Sequence, residues 1–345
     1  ATSGVLDDFL QPKWPPQTFR RFNDDALLCL DVGRSRIWQH GGDRPERLDP
    51  YNVWCGEEVW RPLILSHVAT QAVTAGTLTW QVRTAEGVQV AAGRVDVDQA
   101  IPAGRPCEVG MAQFTAPNYA TAQPLQLEAQ FACSAFTCAN HWPLWVYPQP
   151  QDTPGQTALY DPARRLAPEW RALAQACAPR DLATWRGPVI AAALDVALRA
   201  HLRGGGRVLL LQDGDGPLPA RRLPFWRESL KLFTPHPLWQ RLPHPGFVGL
   251  QFFGMATDAA FDTAQLKRAL PGLAAFTPLL RRLDAREFHL TDYLFAARLG
   301  DGVLIACSLR LQGGAGSQPT GLKRNVAGRA LLAALLDELR QMAGA

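Results

Sequence analysis

Alternation of apolar and polar positions organises the first half of the chain. In Thr77-Leu-Thr-Trp-Gln-Val-Arg, the apolar Leu78, Trp80 and Val82 interleave with polar neighbours, the period of a strand with one packed and one wet face. Further short runs at 26–32, 59–67, 88–95, 107–114 and 124–132 are bounded by turn residues and predict strands as well. Glu86-Gly87 supplies a hairpin turn before Val88. At least six strands at such spacing, with hardly any helical periodicity, predict an antiparallel β-sandwich of immunoglobulin-like type over 26–150. Residues 1–25 form an entry segment in which Pro12, Pro15 and Pro16 prevent a long helix.

The pattern changes after Asn140-His-Trp-Pro-Leu-Trp-Val-Tyr-Pro. A polar, turn-rich Gln149-Pro-Gln-Asp-Thr-Pro-Gly follows, which places a domain boundary near 150. Beyond it strand and helix signals alternate: strands at 157–160 and 189–193, a helix at 169–176, then the stretch from Gly187 to Pro217. There Leu194, Ala197, Leu198 and Leu202 share one helical face, Gly204-Gly-Gly stops the helix, and Val208 to Leu211 form a buried strand. Helices are predicted at 225–233 and 264–270, and a strand at 248–253. A hairpin is predicted around Gly300-Asp-Gly, and a long amphipathic helix over 323–342. Alternating strands and helices predict an α/β domain with a mainly parallel sheet over 151–345.

Composition narrows the function classes. The 345 residues suit two domains with full cores. The net charge of +4 comes from scattered arginines, so nucleic acid is not expected as a partner. No apolar run reaches membrane-spanning length, and no signal peptide is visible, so no membrane is expected. The chain begins with Ala1 rather than Met, leaving a processed or truncated start open. Seven cysteines at irregular spacing favour reduced thiols and, with them, the cytoplasm. Cys133 and Cys138 lack a second ligand pair, so neither a metal nor a cofactor is expected.

Several segments resemble a known family. Gly4-Val-Leu-Asp-Asp-Phe-Leu-Gln-Pro-Lys followed by Phe19-Arg-Arg-Phe resembles the segment just after the catalytic barrel in bacterial glycoside hydrolases of the family 2, β-galactosidase-like type. Asn140-His-Trp-Pro-Leu-Trp-Val-Tyr-Pro resembles the end of their accessory sandwich. Gly204-Gly-Gly-Arg-Val-Leu-Leu-Leu and Gly300-Asp-Gly-Val-Leu-Ile-Ala-Cys-Ser-Leu resemble a following domain similar to class I glutamine amidotransferases. The resemblance implies a flavodoxin-like or amidotransferase-like second domain and an accessory region whose partner is an upstream catalytic barrel or a second copy of the chain. A barrel needs roughly 250 residues, which the two predicted domains leave no room for. Glu57-Glu58 are adjacent in a strand and point to opposite faces, so they make a poor acid and nucleophile pair. No catalytic residue is carried over.

Three sets of side chains remain as candidates. Asp213 and Asp215, in Gln212-Asp-Gly-Asp-Gly-Pro after the Val208–Leu211 strand, fall where ligands gather in open α/β sheets. A plain turn competes with that reading, because the spaced oxygens and terminal Glu of a calcium loop are missing. Trp226, Trp239, His244 and Gln251 combine aromatic faces with amide and imidazole groups, a candidate carbohydrate surface; core packing of Phe225, Phe247 and Phe253 competes with it. Cys177 and Cys307 are the candidate nucleophiles for a Cys-dependent hydrolase or amidotransferase, although neither has a glycine elbow. The reading that unites these observations is a non-catalytic accessory region of a glycoside hydrolase, expected to support or oligomerise a catalytic barrel absent from this chain and to aid carbohydrate binding. The alternatives are a stand-alone carbohydrate-binding module and a Cys-dependent enzyme.

Overall fold

A computed structural model describes residues 5–31, 36–39, 42–45, 49–68, 72–151, 154–166, 168–226, 229–313 and 321–342. Two compact units emerge: Ala1–Arg34 with Val53–Val146, and Ser35–Asn52 with Tyr147–Ala345. The division is not a single cut of the chain, since Ser35–Asn52 groups with the later residues.

The elements up to residue 147 run α1 (Pro16–Arg20), β1 (Ala26–Leu30), β2 (Arg36–Gln39), β3 (Gly42–Pro45), β4 (Asn52–Trp54), β5 (Glu58–His67), β6 (Gly76–Thr84), β7 (Gln89–Val97), β8 (Cys107–Thr115), β9 (Gln123–Ala132) and β10 (Thr137–Tyr147). The first unit is built on a three-stranded sheet in the order β1-β5-β8 and a five-stranded sheet in the order β4-β10-β9-β6-β7. Leu63 and Leu65 of the first sheet share one core with Leu78, Val82, Leu127 and Phe131 of the second. Burying each such side chain is worth about 1.5–3 kcal/mol. The alternation in β6 is realised: Leu78, Trp80 and Val82 are buried while Thr79, Gln81 and Arg83 face out. Gly93 permits the close approach of Trp80, because a Cβ there would run into the indole. Strand β10 runs through the segment that the sequence reads as the domain's end. Pro143 argues locally against a strand, yet it sits in register opposite Gln126 of β9.

The second unit continues with β11 (Ala158–Tyr160), α2 (Trp170–Leu173), β12 (Gln175–Ala176), β13 (Pro188–Ala191), α3 (Val196–Arg203), β14 (Arg207–Leu211), β15 (Ala220–Arg222), β16 (Ser229–Phe233), β17 (Ala259–Phe261), α4 (Thr263–Ala269), β18 (Leu273–Asp284), β19 (Leu290–Leu299), β20 (Gly302–Cys307) and α5 (Val326–Gln341). Strands β12, β11, β13, β14 and β20 lie side by side in that order, and each neighbouring pair is parallel. Beyond β20 the sheet turns antiparallel through β19, β18 and β16, with β17 attached at β19 and β15 at β17, so it is mixed rather than mainly parallel as the sequence suggests. Val189, Ala191, Val208 and Leu210 join Leu198 and Leu202 of α3 in one core. The alternating Ile190, Leu209 and Ile305 are buried outside that core, on the face where α5 meets β13, β14 and β20. Burial on both faces explains the unbroken apolar run of β14.

Helix α3 begins where Asp195 accepts a bond from the Leu198 amide at 3.0 Å, an N-cap. It ends at Gly204, and Gly206 lies directly under the His201 ring, where any Cβ would collide with the imidazole. The Gly204-Gly-Gly run therefore serves helix termination and close packing.

Three local expectations fail. Among the described residues of 225–233 there is no helix; β16 occupies 229–233, and its polarity is inverted, with Lys231 buried and Leu230 and Leu232 exposed. Lys231 Nζ lies 5.2 Å and 5.3 Å from the ring centres of Phe225 and Trp226, so aromatic faces take the place of a carboxylate partner for the ammonium. Residues 250–255 form a 3-10 turn rather than a strand. Helix 169–176 shrinks to Trp170–Leu173, after which the chain joins the sheet edge as β12. Among the described residues, no helix is long and apolar enough to cross a membrane.

Candidate functional site

The carboxyl ends of β13, β14 and β20 border a cavity of about 250 Å³, whose lining includes Arg165, Trp170, Asp213, Asp215, Arg310 and Gln312. The loop after β14 is held in shape by one buried side chain. Gln212 Nε2 donates to the Leu218 carbonyl at 2.8 Å, and its Oε1 accepts from the Leu218 amide at 2.9 Å. This bracket fixes Asp213 at the cavity edge.

Asp213 is already engaged. Arg310 Nε donates to Oδ2 at 2.6 Å and Thr257 Oγ1 donates to Oδ1 at 2.8 Å. Arg310 also lies 3.8 Å from Asp258. Asp215 is exposed and faces Arg222 at 3.4 Å, an arrangement worth little in water. The two candidate aspartates thus border one cavity but do not act as a pair. On the cavity wall, Trp170 Nε1 donates to Gln312 Oε1 at 3.0 Å. Arg310, Trp170 and Gln312 escape a reading of the sequence, because nothing local marks them as neighbours of Asp213.

Beside the cavity, Tyr160 donates from its hydroxyl to Asp195 Oδ2 at 2.6 Å. Burial and that carboxylate push the phenol well above its ordinary range, so Tyr160 stays protonated and positions the cap of α3. Cys307 ends β20 within the core, and burial pushes its thiol up to about 12. A thiol held protonated is a poor nucleophile. Cys177 is only partly buried, with its thiol also raised by burial, and it does not line the cavity. Among the described residues, no group of three or more His, Cys, Asp and Glu side chains could hold a metal ion.

The aromatic candidates divide. Trp226 is partly exposed and stacks on Phe253. Trp239 and Gln251 are buried. Gln251 accepts from the Tyr147 hydroxyl at 2.9 Å and donates to the Pro243 carbonyl at 2.9 Å, which spends its amide on internal bonds. The His244 ring stacks on Phe233 with centres 3.9 Å apart, and its Nδ1 accepts from the Gly246 amide at 3.0 Å. Burial lowers the pKa of His244. Trp239, His244, Phe233 and Phe252 pack as one group, with Trp226 outside it. The four residues do not present one surface to solvent.

Residues 57–148 match a family model described as a domain of unknown function (DUF8488). No curated protein matches the chain. Among solved structures, a β-glucuronidase of Parabacteroides merdae is similar over 45% of this chain and 22% of its own, with 9% identity and a TM-score of 0.21. A putative β-galactosidase from Bacteroides fragilis is similar over 55% of this chain and 28% of its own, with 10% identity and a TM-score of 0.23. The chain therefore spans under a third of the length of either protein.

Proposed function

We propose that this chain is a non-catalytic accessory region of a β-galactosidase-like, family 2 type glycoside hydrolase. In this reading an immunoglobulin-like sandwich and a doubly wound α/β domain, meeting near residue 150, support or oligomerise a catalytic barrel that lies outside the chain. The motifs of the entry segment, of the sandwich end and of the two glycine-bounded strands support the family. The spatial order β12-β11-β13-β14-β20 corresponds to 2-1-3-4-5 in chain order, which supports a flavodoxin-like or amidotransferase-like layout for the second domain.

One observation carries the non-catalytic part. At the strand ends, where an α/β enzyme places its chemistry, Asp213 is tied to Arg310 and Thr257, and the nearest thiol is buried and protonated. Among the described residues, a nucleophile, a base and an orienting group do not converge there. Fold alone does not bring the amidotransferase reaction with it.

The test is hydrolysis of a panel of nitrophenyl glycosides by the purified chain. Background rates are expected throughout. Turnover that survives exhaustive purification and saturates with substrate would overturn the reading.

A further inference from the structure

The outward face of the five-stranded sheet carries no motif, yet it holds a groove of about 480 Å³. Strand register assembles its floor. Ala92, Gln81, Glu128 and His141 lie across β7, β6, β9 and β10 in one row. Thr79, Gln130 and Ala139 lie in the next. The small side chains of Ala92 and Ala139 leave room that long residues on a wet sheet face would fill.

The polar groups of this floor are held in place. Arg83 donates to Gln81 Oε1 at 2.9 Å, Gln81 Nε2 donates to Glu128 Oε2 at 2.7 Å, and Gln126 Nε2 donates to Glu128 Oε1 at 3.2 Å. A carboxylate offers about four acceptor positions, so Glu128 keeps acceptor capacity toward the groove. At one end Arg21 lies 3.1 Å from His141 Nε2. A guanidinium only donates, so Nε2 is the acceptor and Nδ1 carries the proton. Burial, with Arg21 beside it, lowers the pKa of His141, which keeps the ring neutral at neutral pH. Exposed Gln130 adds an amide with both donors and an acceptor.

We propose that this face binds a neutral oligosaccharide. Sugar hydroxyls donate and accept at once, and the groove interleaves fixed acceptors at Glu128 with donors at His141 and Arg21 and with the amide of Gln130. The volume suits a small ligand, and pre-ordered side chains lower the entropy lost on binding. This goes beyond the accessory reading and does not depend on it, since a hydrolase region or a free-standing module could each use such a face.

The experiment titrates the full chain with cellotetraose and with β-1,4-galactotetraose, followed by calorimetry. One of the two is expected to bind saturably. Gln130→Ala, at an exposed position, is expected to weaken binding by about fivefold or more, the equivalent of one lost hydrogen bond. Trp226→Ala, in the other unit, is expected to leave affinity unchanged. The proposal is overturned if neither sugar binds more tightly than about 10 mM, or if Gln130→Ala binds like the parent chain. Glycoside turnover would refute the accessory reading and leave this result untouched.

Discussion

Asp292 is a fully buried carboxylate on β19, in register with Phe261 of β17 and Arg281 of β18. Its Oδ1 accepts from Arg281 Nε at 3.0 Å, while Oδ2 is buried with no hydrogen-bond partner. Burial outweighs the Arg281 and Thr263 contacts and raises the carboxyl from 3.8 to about 6. The folded state therefore holds this proton more tightly than the unfolded chain. The resulting stabilisation is complete below pH 3.8 and is lost as pH rises through about 6. A shift of about 2 pKa units corresponds to roughly 3 kcal/mol in all, of which about 1 kcal/mol falls between pH 5 and pH 7.5. Asp292→Asn removes the titration and keeps the shape. Arg281, with 29% of its side chain exposed, can remain hydrated without a charged partner. Urea unfolding of both proteins at the two pH values should show the parent losing about 1 kcal/mol relative to the variant. Parallel pH profiles would refute burial as the dominant influence on Asp292.

Two further outcomes follow from the same packing. Gly206→Ala drives a Cβ into the His201 ring, an overpacking expected to cost about 1–3 kcal/mol and to lower the calorimetric Tm; an unchanged Tm would show that α3 does not seat His201 on this glycine. Cys307, buried with its thiol raised to about 12, should escape iodoacetamide in the folded chain and react only after unfolding, as peptide mass mapping would record. Rapid native labelling of Cys307 would reopen a Cys-dependent activity.

The chain's own pattern determined the elements whose environment is uniform along their length. Period-two alternation set the faces of β6, and the apolar run Val208 to Leu211 set a strand buried on both sides. The hairpin at Gly300-Asp-Gly and the helix toward the end were legible for the same reason. Tertiary structure decided what local pattern does not encode. In β16 the leucines face outward because Phe225 and Trp226 receive Lys231 on the inner side. Trp239 and Gln251, which read as a sugar surface, are buried: Phe233 and His244 close on the Trp239 ring, and Tyr147, 104 residues away, takes the Gln251 amide oxygen. Asp213 was identifiable as a strand-end acid, but its partner Arg310 lies 97 residues away and reaches it only because β14 and β20 are neighbours. The groove with Gln81, Glu128 and His141 likewise exists only in the register of four strands. Sequence periodicity reports how often a side chain returns to a face; which partner covers that face is set by strand order and long-range packing.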